Sequence, residues 1–215
     1  MNGDAALKTV QPNRNKGYLI TKRLMDIIAS TVGLIVLLPV FLIVAILIYI
    51  EDKGSVIFCQ ERSGLDNGSF KMYKFRSMIT NAPAMREELE KFNELDGPAF
   101  KMKDDPRITK IGAFIRKTSI DELPQLVNVL KGEMSLVGPR PLPTYETAGC
   151  NEYQLQRLLV KPGLTCYWQI SGRNDISFDE WIEMDLRYIR EASLWTDIKI
   201  LFMTVGAVFS GRGAY

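Results

Sequence analysis

IIASTVGLIVLLPVFLIVAILIYI, Ile27 to Ile50, runs for 24 residues without a charge. A helix needs about 20 apolar residues to cross a bilayer core, so this run places the chain at a membrane. It is too long for the apolar part of a signal peptide, and no small-residue cleavage site follows it. Pro39 sits at its centre, where it removes a backbone hydrogen bond and favours a break or kink. Both flanks are basic: Arg14, Lys16, Lys22 and Arg23 precede the run, and Lys53, Arg62, Lys71, Lys74 and Arg76 follow it. Positive charge marks the cytoplasmic side, so each end asks for the same side. A helix–break–helix that enters and leaves by one face satisfies both ends. A single-pass anchor with a tolerated proline, or a buried helix of a soluble protein, would be the plainer alternative.

Around this run the composition is that of a folded domain. The 215 residues are 47% hydrophobic and 24% charged, with a net charge of +2. That length suffices for one domain with a real core, and so small a charge is no argument for nucleic acid. There is no histidine, which excludes Ser-His-Asp and Cys-His catalysis, His-ligated zinc and imidazole bases together. Cys59, Cys150 and Cys166 are odd in number and lack C-x-x-C spacing. They read as reduced thiols rather than a disulfide frame or metal site. Chemistry is left to carboxylates, Lys and Arg, hydroxyls, or a hard cation such as Mg²⁺.

No repeat or linker divides the chain after residue 50, so one compact domain is expected there. The expected fold class is α+β and mostly helical: a membrane-associated catalytic domain with a proline-broken re-entrant helix, a small β-hairpin and amphipathic interfacial helices. The expected divisions are a flexible N-terminal tail (1–16), the helix–break–helix (17–52) and a cytosol-facing domain (53–215). SVIFCQ and FKMYKF read as hairpin strands joined by Gly64, Asn67 and Gly68. Residues 82–95 read as one charged, exposed helix. Ile108, Ile111 and Ile115, set among Arg107, Lys110, Arg116 and Lys117, suit either a membrane surface or an ordinary helix packed on a core. Further helices are expected at 122–131, 151–159 and 178–191, the last with Trp181, Met184, Tyr188 and Ile189 on one face. The apolar tail 200–209 either lies against lipid or completes the core.

The adjacent carboxylates Asp121 and Glu122 stand out in TSIDELPQL (118–126). Ser119 and Glu122 match a capping box, and acidic residues suit a helix N-terminus. That reading leaves Asp121 without a task. It also does not explain the cations of neighbouring segments: Lys71, Lys74, Arg76, Arg116, Lys117, and Arg140 between two prolines. Arginine's planar fork binds phosphate bidentately, and flanking prolines stiffen the loop that presents it. Phosphate-suited cations, carboxylates and no histidine point to Mg²⁺-dependent phosphoryl chemistry, in which an Asp ligates the metal or attacks phosphorus.

The chain resembles the bacterial sugar transferases, the monotopic phosphoglycosyl transferases that start glycan assembly on polyprenyl phosphate. The matching motifs are KRLMD (22–26), the proline-broken run, KFRSM (74–78) and DDPRITKIGAFIRKTSIDELPQL (104–126). KGEMSLVGPRP (131–141), KPGLT (161–165), QISGRN (169–174) and the LR-Y-I…SLWTDIKIL region (186–201) continue the series. They cover the chain from about residue 20 onward, in order. With no further membrane segment ahead of the run, the chain is expected to be a small member, most similar to the exopolysaccharide-initiating hexose-1-phosphate transferases.

The resemblance implies an enzyme that transfers a sugar 1-phosphate from a UDP-sugar to undecaprenyl phosphate, releasing UMP. Asp121 would be the nucleophile that carries the phosphosugar covalently, and Glu122 its partner; both would serve Mg²⁺. Arg140, Lys74, Arg76, Arg116 and Arg173 would bind substrate. For the cations other than Arg140, a solvated or headgroup-facing role is as good a reading. The implied partners are UDP-sugar, undecaprenyl phosphate and membrane lipids, with no nucleic acid; a homodimer through apolar faces is compatible. The implied location is the bacterial inner membrane, catalytic domain on the cytoplasmic face. Two positions depart from the pattern. Leu38 precedes the breaking proline where many members have Ser, and Cys166 stands where Gly is common. A non-catalytic membrane adaptor and a Mg²⁺-dependent UDP-sugar hydrolase are the competing functions.

Overall fold

The computed structural model describes residues 9–93, 102, 104–171 and 176–210. Residues 9–15, within the expected flexible tail, lie against the body: Val10 is buried, its N–H donates to Gln156, and Asn13 donates to the Ala192 carbonyl. Asn15 then caps helix α1, Lys16–Val36, by accepting from Tyr18 N at 3.1 Å. Helix α2, Leu38–Glu51, follows after Leu37 alone. The bend falls at Leu37, with Pro39 in the first turn of α2, where a missing N–H costs least. Among the described residues no single helix is long and apolar enough to cross a membrane. The two helices together meet that length and composition, bent by 59°.

The two helices meet the body by opposite means. The first half of α1 is stitched down by polar side chains. Lys22 donates to the Val137 carbonyl and Asp197, Arg23 to the carbonyls of Val129 and Leu130, and Asp26 accepts from Leu136 N and Ser135. Helix α2 instead buries Val44 and Ile48 against Phe75 and Ile115. It leaves Leu38, Leu42, Ile43, Ile46 and Ile50 exposed. A continuous exposed apolar face of this kind suits a membrane or partner surface.

The hairpin forms as expected, with β1 (Ile57–Ser63) antiparallel to β2 (Ser69–Phe75). Its turn takes positive φ at Asp66 and Asn67. The expected helix 82–95 is a correction. Residues 82–92 form a 3₁₀ turn, the four-residue helix α3 (Arg86–Leu89) and a second 3₁₀ turn, with Ala82 and Leu89 buried; residues 94–95 lie outside the described residues. Helix α4 (Lys110–Lys117) is capped by Thr109. Its isoleucine face does not meet a membrane: Ile115 is buried and Ile111 packs beside it under α2. Phe114 is the exposed apolar residue there.

After a 3₁₀ segment at 120–125 come α5 (Leu126–Lys131) and β3 (Ser135–Val137). Then follow α6 (Thr144–Thr147), α7 (Glu152–Leu155), β4 (Gly163–Thr165) and α8 (Tyr167–Ser171). Helix α9, Phe178–Glu191, has the expected bounds and buries Trp181, Tyr188 and Ile189. Helix α10, Leu194–Ser210, closes the described chain; Ile200 completes the core while Trp195 and Phe202 are about three-quarters exposed. Strands β3 and β4 pair in parallel, which sequence periodicity does not reveal. A side chain at Gly163 would fall 2.1 Å from Gly138 N, so both glycines are needed for this approach. The pairing fixes where the following Pro-Arg-Pro loop leaves the sheet.

Candidate active site

The segment carrying Asp121 and Glu122 is not an α-helical N-terminus. Residues 120–125 form a 3₁₀ helix with Pro124 inside, and Ser119 has φ 57°, a left-handed conformation. Ser119 makes no side-chain capping bond, so the capping box is corrected. Left-handed backbone at a non-glycine costs about 1–3 kcal/mol. Here it turns the chain so that Asp121 is buried at 7% exposure in a cleft of about 680 Å³. The cleft is lined by strands β1 and β2, residues 76–83, the 119–122 turn, the loop after β3, and α8.

The two carboxylates have different surroundings. Glu122 Oε1 accepts from Lys74 Nζ at 2.9 Å and Arg140 Nη2 at 2.6 Å, and Oε2 accepts from Gln169 Nε2 at 3.1 Å. The donors come from β2, the Pro-Arg-Pro loop and α8. Burial alone would raise the Glu122 pKa, but Arg140 and Lys74 overcome it and hold Glu122 well below the usual carboxylate range. Asp121 makes no hydrogen bond or ion pair among the described residues. Burial pushes it up to about 6, partly offset by Lys74, and the charge of Glu122 adds to the rise. One carboxylate is thus locked and ionised, and its neighbour is buried without a partner.

Cations dominate the walls. Arg62, Lys74, Arg76, Arg107, Arg116 and Arg140 line the cleft, against the three carboxylates Asp121, Glu122 and Glu146. Burial lowers Lys74 and Arg116, while Arg140 is raised because Glu122 outweighs its burial. Arg140 also lies over the Trp168 ring at 5.2 Å. Arg116 Nε donates to Ser77 at 2.8 Å, and Arg76 reaches back to Asp52 at the end of α2. Of the residues that the sequence proposed, Asp121, Glu122, Arg140, Lys74, Arg76 and Arg116 share this cleft, and Arg173 lies outside the described residues. Sequence reasoning treated Arg62 as a membrane-flanking charge and passed over Gln169 and Trp168. The only available signal was that QISGRN adjoins Trp168 and begins at Gln169.

A hard cation suits these donors in a limited way. Among the described residues no three His, Cys, Asp or Glu gather as a metal cluster. Of the two carboxylates named for Mg²⁺, Glu122 has both oxygens engaged by protein donors, and Asp121 has not. Mg²⁺ commonly binds through one or two carboxylates plus substrate phosphates, so Asp121 fits as the protein's share.

An excess of cations around a buried carboxylate, beside a bent apolar helix pair, suits the binding of a polyanion. The chain belongs to the bacterial sugar transferase family, whose model matches residues 17–211. It is 50% identical over 200 residues to the galactosyl transferase CpsE of Streptococcus agalactiae, covering 92% of this chain and 44% of that protein. It is 40% identical over 203 residues to the exopolysaccharide production protein ExoY of Rhizobium meliloti, covering 91% and 88%. It is also 40% identical over 209 residues to the UDP-glucose:undecaprenyl-phosphate glucose-1-phosphate transferase of Escherichia coli, covering 91% and 42%. The chain therefore spans less than half of two of these relatives and most of the third.

Proposed function

We propose that the protein transfers a sugar 1-phosphate from a UDP-sugar to undecaprenyl phosphate, the first membrane step of exopolysaccharide or other surface-glycan assembly. One observation carries the reading: Asp121 is buried in a cleft of six cations and makes no hydrogen bond or ion pair among the described residues, while Glu122 beside it is locked by three donors. An Asp121 carboxylate oxygen attacks the sugar-bearing phosphorus. The new O–P bond forms as the bond to the UMP oxygen breaks, and UMP leaves with that electron pair. A phosphate oxygen of undecaprenyl phosphate then attacks the same phosphorus, and the electron pair of the Asp–phosphorus bond returns to Asp121. The product is undecaprenyl-diphosphate-sugar.

Each protein group meets a charge that this sequence of steps creates. A carboxylate approaching a diphosphate is repelled, and the oriented cations that line the cleft offset that repulsion. Glu122 holds Lys74 and Arg140 in place for this purpose. Asp121 would be the protein's ligand to Mg²⁺, which would supply further charge neutralisation. Two displacements let a soluble and a lipid substrate use one site in turn. Helices α1 and α2 enter and leave the cytoplasmic face of the bacterial inner membrane. In that arrangement the cleft would lie at headgroup depth, a reading supported by the contact of Arg76 on its wall with Asp52 at the end of α2. A periplasmically reactive cysteine introduced at residues 51–54 would contradict this topology.

The test is UMP release by purified protein in nanodiscs, across a panel of UDP-sugars with Mg²⁺, with and without undecaprenyl phosphate. Lipid-dependent release from one UDP-sugar, absent in Asp121→Asn, is expected. Steady release without lipid would make the protein a hydrolase. No release from any donor would leave the adaptor reading.

A further inference from the structure

Prolines at 139 and 141 bring no N–H donor to the loop that carries Arg140, so neighbours can grip that backbone chiefly by its carbonyls. Each one is gripped. Gly163 N donates to the Pro139 carbonyl at 2.9 Å, Arg157 Nη2 to that of Arg140 at 2.6 Å, and Arg62 Nη1 to that of Pro141 at 2.9 Å. Arg157 is itself buried outside the cleft, with Nη2 2.5 Å from Asp185 Oδ2 on α9. The aromatic rings repeat the connection: Arg140 lies over Trp168, Trp168 stacks on Trp181 at 5.0 Å, and Arg157 lies over Trp181 at 5.2 Å.

We propose that Arg157 and Asp185 are positioning residues that hold Arg140, and through it Glu122, in the register the reaction needs. The inference rests on the transferase reading above. Its physical ground is that a buried ion pair is a poor way to stabilise a core. Desolvation offsets much of the attraction, and apolar residues of similar volume often do as well or better. This pair is also incompletely satisfied: Arg157 Nη1 is buried without a hydrogen-bond partner, as is Nε1 of the neighbouring Trp181. What an apolar pair could not do is donate to the Arg140 carbonyl. From there the chain of contacts runs through the Arg140 guanidinium to Glu122 Oε1 at 2.6 Å. Asp185 anchors one end to the rigid helix α9, and the carboxylate beside the reacting group is the other end.

The test compares wild type with Arg157→Met/Asp185→Leu, which removes both charges at similar volume, and with Arg157→Lys, which keeps a charge without the planar fork. The double variant is expected to melt at or above the wild-type temperature. Its kcat for UMP release should fall about 10–100-fold, the cost of misplacing a reacting group by around an ångström. Arg157→Lys should fall between the two. Adding Arg140→Ala to the double variant should cost less than Arg140→Ala costs wild type, because both act through one group. A turnover-free readout is the thermal shift caused by inorganic diphosphate with Mg²⁺, expected to be smaller in the double variant. A folded double variant with kcat within about twofold of wild type and an undiminished diphosphate shift would overturn the inference. If the double variant does not fold, the same result for Arg157→Lys overturns it. Failure of wild type to release UMP would instead strike the transferase reading, and the diphosphate shift would still decide this one.

Discussion

Two buried charged regions in this protein look alike in composition and differ in how completely they are paired. In the knot between α1 and α10, Asp197 is fully buried and receives Lys22 at 2.9 Å, Tyr188 at 2.7 Å and Tyr18 at 3.2 Å. Every charge there has an answer, and the knot fastens α1 to the body. In the cleft, Glu122 accepts three hydrogen bonds, and Asp121 accepts none among the described residues. A fully paired cluster reads as structure. A cluster that leaves one buried carboxylate over reads as chemistry, because the fold bears the cost of a group it does not use.

The largest expected effect that would break this contrast is on Asp121. Asp121→Asn should reduce UMP release by about 10⁴-fold or more. It should also stabilise the fold at neutral pH, and the sign follows from the raised pKa. A carboxyl near 6 when folded and 3.8 when free contributes fully below about pH 4, and that contribution fades as pH rises through 6. Above that, the ionised group is a net cost to the fold, which the Asn variant escapes. Melting curves of the two proteins at pH 8 and at pH 4 check this.

Asp197→Ala should do the reverse. Breaking a buried pair leaves Lys22 without its counter-charge and costs about 3–5 kcal/mol, visible as a lower melting temperature, while folded molecules keep their turnover. Glu122→Gln should lower kcat by about 10²-fold by loosening Lys74 and Arg140. Because Asp121 must be ionised to attack, wild-type kcat/KM should fall about tenfold per pH unit below about 6. A flat profile from pH 5 to 8 would contradict the nucleophile. The smallest expected effect is at Ser119. If it capped a helix, Ser119→Gly would cost a few tenths of a kcal/mol; in a left-handed position glycine should be neutral or slightly stabilising. Denaturant melts separate the two.

The legible parts of the molecule were those in which one residue pattern allows one structure. The run at 27–50 carried both its apolar character and its break, and α9 carried an unbroken helical stripe from a Ser177 cap to Glu191. The hairpin was marked by strand-like runs around a turn. Legibility failed where two structures share a pattern. Ser119 and Glu122 have capping-box spacing, yet Pro124 and a left-handed Ser119 make a 3₁₀ turn in which Glu122 faces cations. The isoleucines of α4 have the spacing of an interfacial helix, and spacing does not say that α2 occupies that face. Strands β3 and β4 are three residues each and pair across an intervening stretch too long for local patterns to register. For the same reason Arg62, Trp168 and Gln169 were missed as cleft residues: only the folded chain brings them to Asp121 and Glu122.

The measurement closest to the central claim is mass spectrometry of the protein quenched after incubation with a UDP-sugar and Mg²⁺ in the absence of undecaprenyl phosphate. The expected result is a phosphosugar on the peptide containing Asp121, lost when undecaprenyl phosphate is added and never formed in Asp121→Asn. UMP release with no adduct, or with an adduct on any other residue, would contradict the assignment of Asp121 as the group that carries the sugar phosphate.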